Sequence, residues 1–532
     1  MVRLVVGTLR AQLRRASARA LSGTTMAPPA SSSAAAAASA RRCFSVARAP
    51  PVDDVDPKDI LRPDVVSKPQ LPLDQELPGL PKLKPASQLQ APQTEVTVLS
   101  SGLRVISQET YGQAATIGVF IDAGSRHEDD STVGVTHCLE HLGFKSTTTR
   151  SHADLVRQIE SIGALTTSSC GREQIIYTID LLRDNVAKGL ELLADAVLNL
   201  DVDADEIESI KAIMRFQTED LLENPQALLQ EHIHGAAYGE KASLGRPLQC
   251  PLDQIDALTL ETVLAFRAKH FVASKMVLAG SGVDHASLVA LADKLFATIP
   301  TGDADSASVA VASSPVEYIG GVRTIENADA PFSYAALAFP TAGWHHADLV
   351  PVCVLQTLLG GGDSFSAGGP GKGMYSRLYT SVLNRFYWVE SAFAFSSIHA
   401  DAGLLGIYGA CAPSHTSNLV ALLCNQLLHV ANRPVDAAEL QRAKNQLKSS
   451  VLMNLESRMI LYEDIGRQLL TYGLRESPES VCAKIDAVTA ADLQRVVQAA
   501  MAHPPSLVYS GDLKLFPSYD QVVGGLKEGL QQ

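Results

Sequence analysis

From about Glu95 onward the chain cycles regularly between apolar and polar positions. Val96 to Gln108 and Ala115 to Ala123 carry the short apolar runs of strands, with a turn at Tyr111-Gly112 between them. Periods of three to four residues predict helices around 134–143, 152–162 and 183–199, and a long helix from about 203 to 222. The pattern then repeats. Ile255-Asp256-Ala257-Leu258-Thr259 returns 230 positions later as Ile485-Asp486-Ala487-Val488-Thr489. Each copy precedes a helical pattern, an apolar strand and a turn, at Met276 to Gly282 and at Ser506 to Gly511. Asp203-Ala-Asp-Glu206 returns as Asp436-Ala-Ala-Glu439, and helices after each copy run out at Ala237-Tyr238-Gly239 and Thr471-Tyr472-Gly473. Several matches in one order at nearly constant offset predict a duplication. The expected fold class is α+β: two duplicated domains, 95–300 and 316–532, each an antiparallel sheet with helices on one side. The small, polar stretch at 301–315 reads as their linker.

The first 94 residues lack this periodicity. Residues 50–92 hold ten prolines, which fix φ and remove donors, so 45–94 reads as an extended arm. Residues 1–52 hold eight arginines, many Ala and Ser, and no acid, the composition of a mitochondrial transit peptide. Val2 to Leu21 can form a basic amphipathic helix, and Arg42-Cys43-Phe44-Ser45 is similar to a presequence cleavage site, which places the mature start near Ser45 and the transit peptide at 1–44. Loss of those 44 residues, with seven arginines, moves the net charge by seven units from −13 to −20. A chain this acidic disfavours nucleic acid as a partner and steers basic ligands toward itself. Eight scattered cysteines without a C-x-x-C pair suit a reducing compartment, and no apolar run is long enough for a transmembrane helix.

Candidate chemistry sits in two places. His137-Cys138-Leu139-Glu140-His141 is the inverted zinc-protease pattern H-x-x-E-H. On a helix His137 and His141 share a face and can bind one Zn²⁺, with Glu140 placed to take a proton from a metal-bound water. A helix carrying two half-exposed histidines and a solvated Glu satisfies the same short pattern. The second half lacks the motif at Trp344 to Leu359, so one such site is the maximum.

The second place is Gly360-Gly361-Gly362-Asp363-Ser364-Phe365-Ser366-Ala367-Gly368-Gly369-Pro370-Gly371-Lys372-Gly373, half of it glycine. As a phosphate loop it fails: Gly373 follows Gly371-Lys372 where Ser or Thr is needed, and Ser366 stands where the first Gly belongs. It reads as a flexible lid or substrate-contacting loop, with a mere surface linker as the alternative.

Together with Leu452 to Ile460 and Glu463-Asp-Ile-Gly-Arg-Gln468, these segments resemble the M16 (pitrilysin-like) metallopeptidases over about residues 95–520. The resemblance, in the processing-peptidase group of that family, implies two domains closing around a cavity. It implies a heterodimer located in the mitochondrial matrix. There the glycine loop helps bind basic mitochondrial presequences, and a beta subunit of the processing peptidase holds the working zinc. Related chains are core subunits of the cytochrome bc1 complex (complex III), so a structural role at the inner membrane is an alternative. A self-sufficient zinc endopeptidase is a third reading.

Two positions depart from the family pattern. The third zinc ligand, a Glu, falls in register on Gln217, a poor zinc ligand. Glu219 lies about 200° further round the helix, and Asp220 shares the face but is shorter and a turn away. The expectation is therefore an incomplete metal site at His137 and His141, no resident cofactor in this chain, and Zn in the partner. Asp363 stands where the family often has Gly, which adds a carboxylate toward an Arg-rich ligand or merely a solvated one.

Overall fold

The computed structural model describes residues 92–302, 316–364 and 373–531. The transit-peptide, arm and linker expectations therefore lie almost wholly outside the described residues. The first half contains β1 (Thr94–Val98), β2 (Arg104–Gln108), β3 (Ala114–Asp122), α1 (Val135–Leu142), α2 (His152–Ser161), β4 (Leu165–Cys170), β5 (Gln174–Leu182), α3 (Val186–Leu198), α4 (Ala204–Leu222), α5 (Pro225–Tyr238), α6 (Leu260–His270), β6 (Met276–Ser281) and α7 (His285–Leu295). The second contains β7 (Gly321–Glu326), β8 (Ser333–Thr341), α8 (Leu349–Leu359), β9 (Gly361–Asp363), β10 (Val389–Ile398), β11 (Gly403–Cys411), α9 (Thr416–Asn432), α10 (Ala437–Leu455), α11 (Arg458–Tyr472), α12 (Pro478–Ala487), α13 (Ala490–Met501), β12 (Ser506–Gly511) and α14 (Tyr519–Leu530).

The sheets have matching orders, β1-β2-β6-β3-β5-β4 and β7-β12-β8-β11-β10-β9. Five strands correspond one to one; β1 is added at one edge of the first sheet and β9 at the opposite edge of the second. The sheets are mixed rather than purely antiparallel, because β6 and β12 return after the helices and lie parallel to β2 and β7. The expected turn at 111–112 follows β2, and a second turn, at Gly102 with φ +88°, divides the stretch 96–108 into two paired strands.

The repeated Ile-Asp-Ala string has a physical reason. Ile255 and Ile485 are buried. The carbonyl of Asp256 accepts from Lys211 Nζ (3.5 Å), and that of Asp486 from Lys444 Nζ (3.0 Å). The carboxylate of Asp256 pairs with Arg215, and that of Asp486 with Lys448. The long helices α4 and α10 are thus fastened in the same way. Both begin at an aspartate N-cap, Asp203 and Asp436, the other repeated element.

Helices do not lie on one side only. Each sheet packs its own helices on one face and a helix from the other half on the second face. From α11, Leu461, Tyr462, Ile465 and Leu469 cover Ile106, Phe120, Ile176, Val277 and Ala279 of the first sheet. From α5, Leu229, Ile233 and Tyr238 cover Ala336, Ala338, Leu404, Tyr408 and Val508 of the second. Strands apolar on both faces need both covered. Polar ties flank the exchange: Arg458 reaches Asp180 (2.6 Å) and Thr116 (2.9 Å), and Arg126 pairs with Glu173 and, through two 3.0 Å bonds, with Asp401. Among the described residues no helix is long and apolar enough to cross a membrane.

Candidate functional site

The H-x-x-E-H segment lies on α1. A buried carboxylate, Glu128, fixes the start of this helix by accepting from Gly134 N (3.0 Å), Thr136 N (2.8 Å) and Thr136 Oγ1 (2.6 Å). Gly134 takes φ +83°, and a Cβ there would meet Cys250 Sγ at 2.3 Å, so glycine is required.

His137 and His141 project from one face of α1 with ring centroids 5.3 Å apart. Opposite them is Gln217 of α4. Its Oε1 lies 2.8 Å from His137 Nε2 and 2.8 Å from His141 Nε2. His137 Nδ1 faces the backbone N–H of Cys250 at 3.1 Å. The Cys250 carbonyl accepts from Thr218 Oγ1 at 3.1 Å, which ties the same residue to α4. Glu140 Oε2 accepts from the N–H of Cys170, at the end of β4, at 3.3 Å.

Burial governs the electrostatics. It pushes the imidazolium of His137 down to about 4, against the Gln217 bond, and lowers that of His141 as well. It pushes the Glu140 carboxyl up to about 7, the Cys170 N–H bond working the other way. The Cys138 and Cys250 thiols are pushed up to about 12 by the same cause, so neither supplies a thiolate.

This donor set does not fit a catalytic zinc. Such a site needs three protein ligands and an open position. Here two neutral imidazoles converge on a neutral carboxamide. Among the described residues no three His, Cys, Asp or Glu side chains are arranged to hold a metal ion, so neither Glu219 nor Asp220, both exposed, completes the pair.

The glycine segment begins as an edge strand. Gly361, Gly362 and Asp363 pair with Phe393, Ala392 and Ser391 of β10. At Gly361, with φ +117°, a Cβ would meet the Ala392 carbonyl oxygen at 2.0 Å. This part of the run serves close strand approach. Asp363 is exposed, and its carbonyl accepts from Tyr379 (3.3 Å). Phe365 to Lys372 lie outside the described residues. The acids of α11 are engaged internally: Glu463 is buried against Arg467 (2.6 Å), and Asp464 lies near Arg475 (3.8 Å) and accepts from Gln468 (3.0 Å). Sequence patterns gave no signal for Cys250, Thr218 or Glu128, whose roles depend on tertiary contacts with single backbone or side-chain groups.

Comparison with known proteins defines the class. The family model "Insulinase (Peptidase family M16)" matches residues 104–252, and "Peptidase M16 inactive domain" matches 257–447. The chain belongs to the M16 peptidase family. It is 42% identical over 437 residues to the mitochondrial-processing peptidase subunit alpha of Solanum tuberosum, covering 81% of this chain and 84% of that one. It is 35% identical over 474 residues to the subunit of the same name from Bos taurus, covering 86% and 90%. A chain in the structure of complex III2 from Candida albicans shares the fold, with TM-score 0.68, 21% identity and coverage of 81% of this chain and 99% of that one.

Proposed function

We propose that this chain is the substrate-binding, non-catalytic alpha-type subunit of a heterodimeric mitochondrial processing peptidase, which removes N-terminal presequences from imported precursor proteins. The observation that carries the reading is the single oxygen of Gln217 engaging both histidines of the H-x-x-E-H helix. A beta subunit then supplies the working zinc. Residues 1–44 serve as the chain's own presequence, 301–315 connect its two domains, and Gly360 to Gly373 contact the substrate. The net charge of −13 supports a basic ligand. The names of the relatives support the activity and the mitochondrial location.

The test is hydrolysis of an Arg-containing presequence peptide by the chain alone and with its beta partner, with zinc counted in both samples. Zinc and cleavage in the pair alone is the expected result. Zinc-dependent cleavage by the isolated chain, abolished by Glu140→Gln, would overturn it. The fold shared with a complex III chain favours a second reading, a structural core subunit of that assembly. Co-purification with cytochrome subunits distinguishes it.

A further inference from the structure

The bonds around His137 carry more than the exchange of one ligand. A neutral imidazole that binds a metal through Nε2 keeps its proton on Nδ1 and donates it to a nearby acceptor. His137 meets the reverse. The group 3.1 Å from its Nδ1 is the backbone N–H of Cys250, which can only donate. Nδ1 is therefore the acceptor and Nε2 carries the proton, which it donates to Gln217 Oε1. His141 donates to the same oxygen, so both lone pairs of the carboxamide are used.

Cys250 is not free to turn away. Its carbonyl is held by Thr218 on α4, its side chain is fully buried, and its sulfur packs where Gly134 has no Cβ. Pro251 follows, which favours extended backbone at Cys250.

We propose that the Cys250 amide is a second block on metal binding, independent of Gln217. It holds His137 as the Nε2–H tautomer, so the histidine pair is a hydrogen-bonded crosslink between α1 and α4. It is not a dormant zinc site that one carboxylate would revive. The inference rests on the reading of this chain as the non-catalytic subunit and deepens it; its test uses neither presequence nor partner. Gln217→Glu supplies an anionic third group, but that carboxylate accepts the same two N–H bonds. Zinc at Nε2 would require the His137 proton on Nδ1, donor against donor with Cys250.

Two measurements decide it. In the full chain labelled with ¹⁵N-histidine, ring ¹⁵N–¹H correlations, assigned by their loss in His137→Gln, should show neutral Nε2–H for His137. In a zinc titration, Gln217→Glu/Cys250→Pro, which lacks the amide proton, should bind about 10- to 100-fold more tightly than Gln217→Glu, the usual size of an outer-shell effect. A His137 Nδ1–H signal overturns the proposal. So does a Gln217→Glu chain that binds one zinc as tightly as the double variant. Should Cys250→Pro fail to fold, the tautomer measurement decides alone.

Discussion

The two halves fasten their long helices alike and fill the neighbouring helix contact differently. At the fastening, Lys211 and Lys444 bind equivalent aspartate carbonyls, and Arg215 and Lys448 pair with the same aspartates. Beside it, α8 buries Val352, Cys353, Leu355 and Leu359 in the same apolar core as Leu440, Ala443 and Leu447 of α10, whereas α1 presents two histidines to a glutamine of α4. One architecture therefore accepts either an apolar or a polar joint at that position. The apolar joint needs only shape; the polar one is tolerable only while every donor has its acceptor. Gln217, Cys250 and Thr218 meet that condition in the first half, and nothing equivalent is needed in the second.

The sharpest way to break the comparison acts on what the halves share. Tyr462 is buried, lies against Phe120 with the two rings tilted by 45° (5.1 Å between centroids) and bonds Thr178 (3.1 Å). Tyr462→Ala should cost about 3–5 kcal/mol, seen as a lower midpoint in urea. An unchanged midpoint would mean that the exchanged helix contributes little to stability.

Next comes the polar joint itself. Gln217→Ala leaves two imidazole N–H groups without their acceptor and should cost about 1–3 kcal/mol by thermal or urea unfolding. A chelator should leave the melting temperature of the unaltered chain where it was. A drop on adding chelator would show that metal, not Gln217, joins the helices.

The duplicated fastening gives a smaller and symmetrical effect. Lys211→Met and Lys444→Met each remove a bond from a mostly buried ammonium to a carbonyl, and each should cost about 1 kcal/mol. Loss in only one half would show that the repeat is shared in sequence and unequal in energy.

The smallest effect is on pH dependence. His137 is held down to about 4 from an ordinary 6.5, so the unfolded chain binds more protons in that window. The stability contributed by its neutral form is present above about 6.5 and is lost as pH falls toward 4. Glu128 and Glu140, held up to about 7, act in the opposite sense: their contribution is lost as pH rises from about 4.5 to 7. His137→Gln should therefore weaken the loss of stability on acidification while leaving the carboxyl contribution intact. Identical pH profiles for the two chains would remove His137 from that balance.

Much of this was legible in the chain. Apolar periodicity located α1 to α4 closely, because each helix buries a set of side chains that recurs at helical spacing. The spacing of His137 and His141 gave their shared face, and family register pointed to Gln217. The reciprocal cover of the sheets by α5 and α11 was not legible, since an amphipathic stripe states that a face is buried and not against what. The parallel pairs β2–β6 and β7–β12 escaped for a similar reason: strand direction follows from the path of the intervening helices. Cys250 escaped because its part is played by a backbone N–H, which every residue except proline has.

The reciprocal cover has a consequence for the order of events during folding. The outer face of the first sheet is closed by residues 461–470, the first of which follows the sheet's last residue, Ser281, by 461 − 281 = 180 positions. A chain emerging amino-terminus first, from a ribosome or a translocation pore, must hold Ile106, Phe120 and Val277 uncovered until α11 arrives. Throughout that interval the first half exposes an apolar face of the kind that favours aggregation. A chain truncated before Arg458 would keep that sticky face permanently and should aggregate, however complete its own sheet.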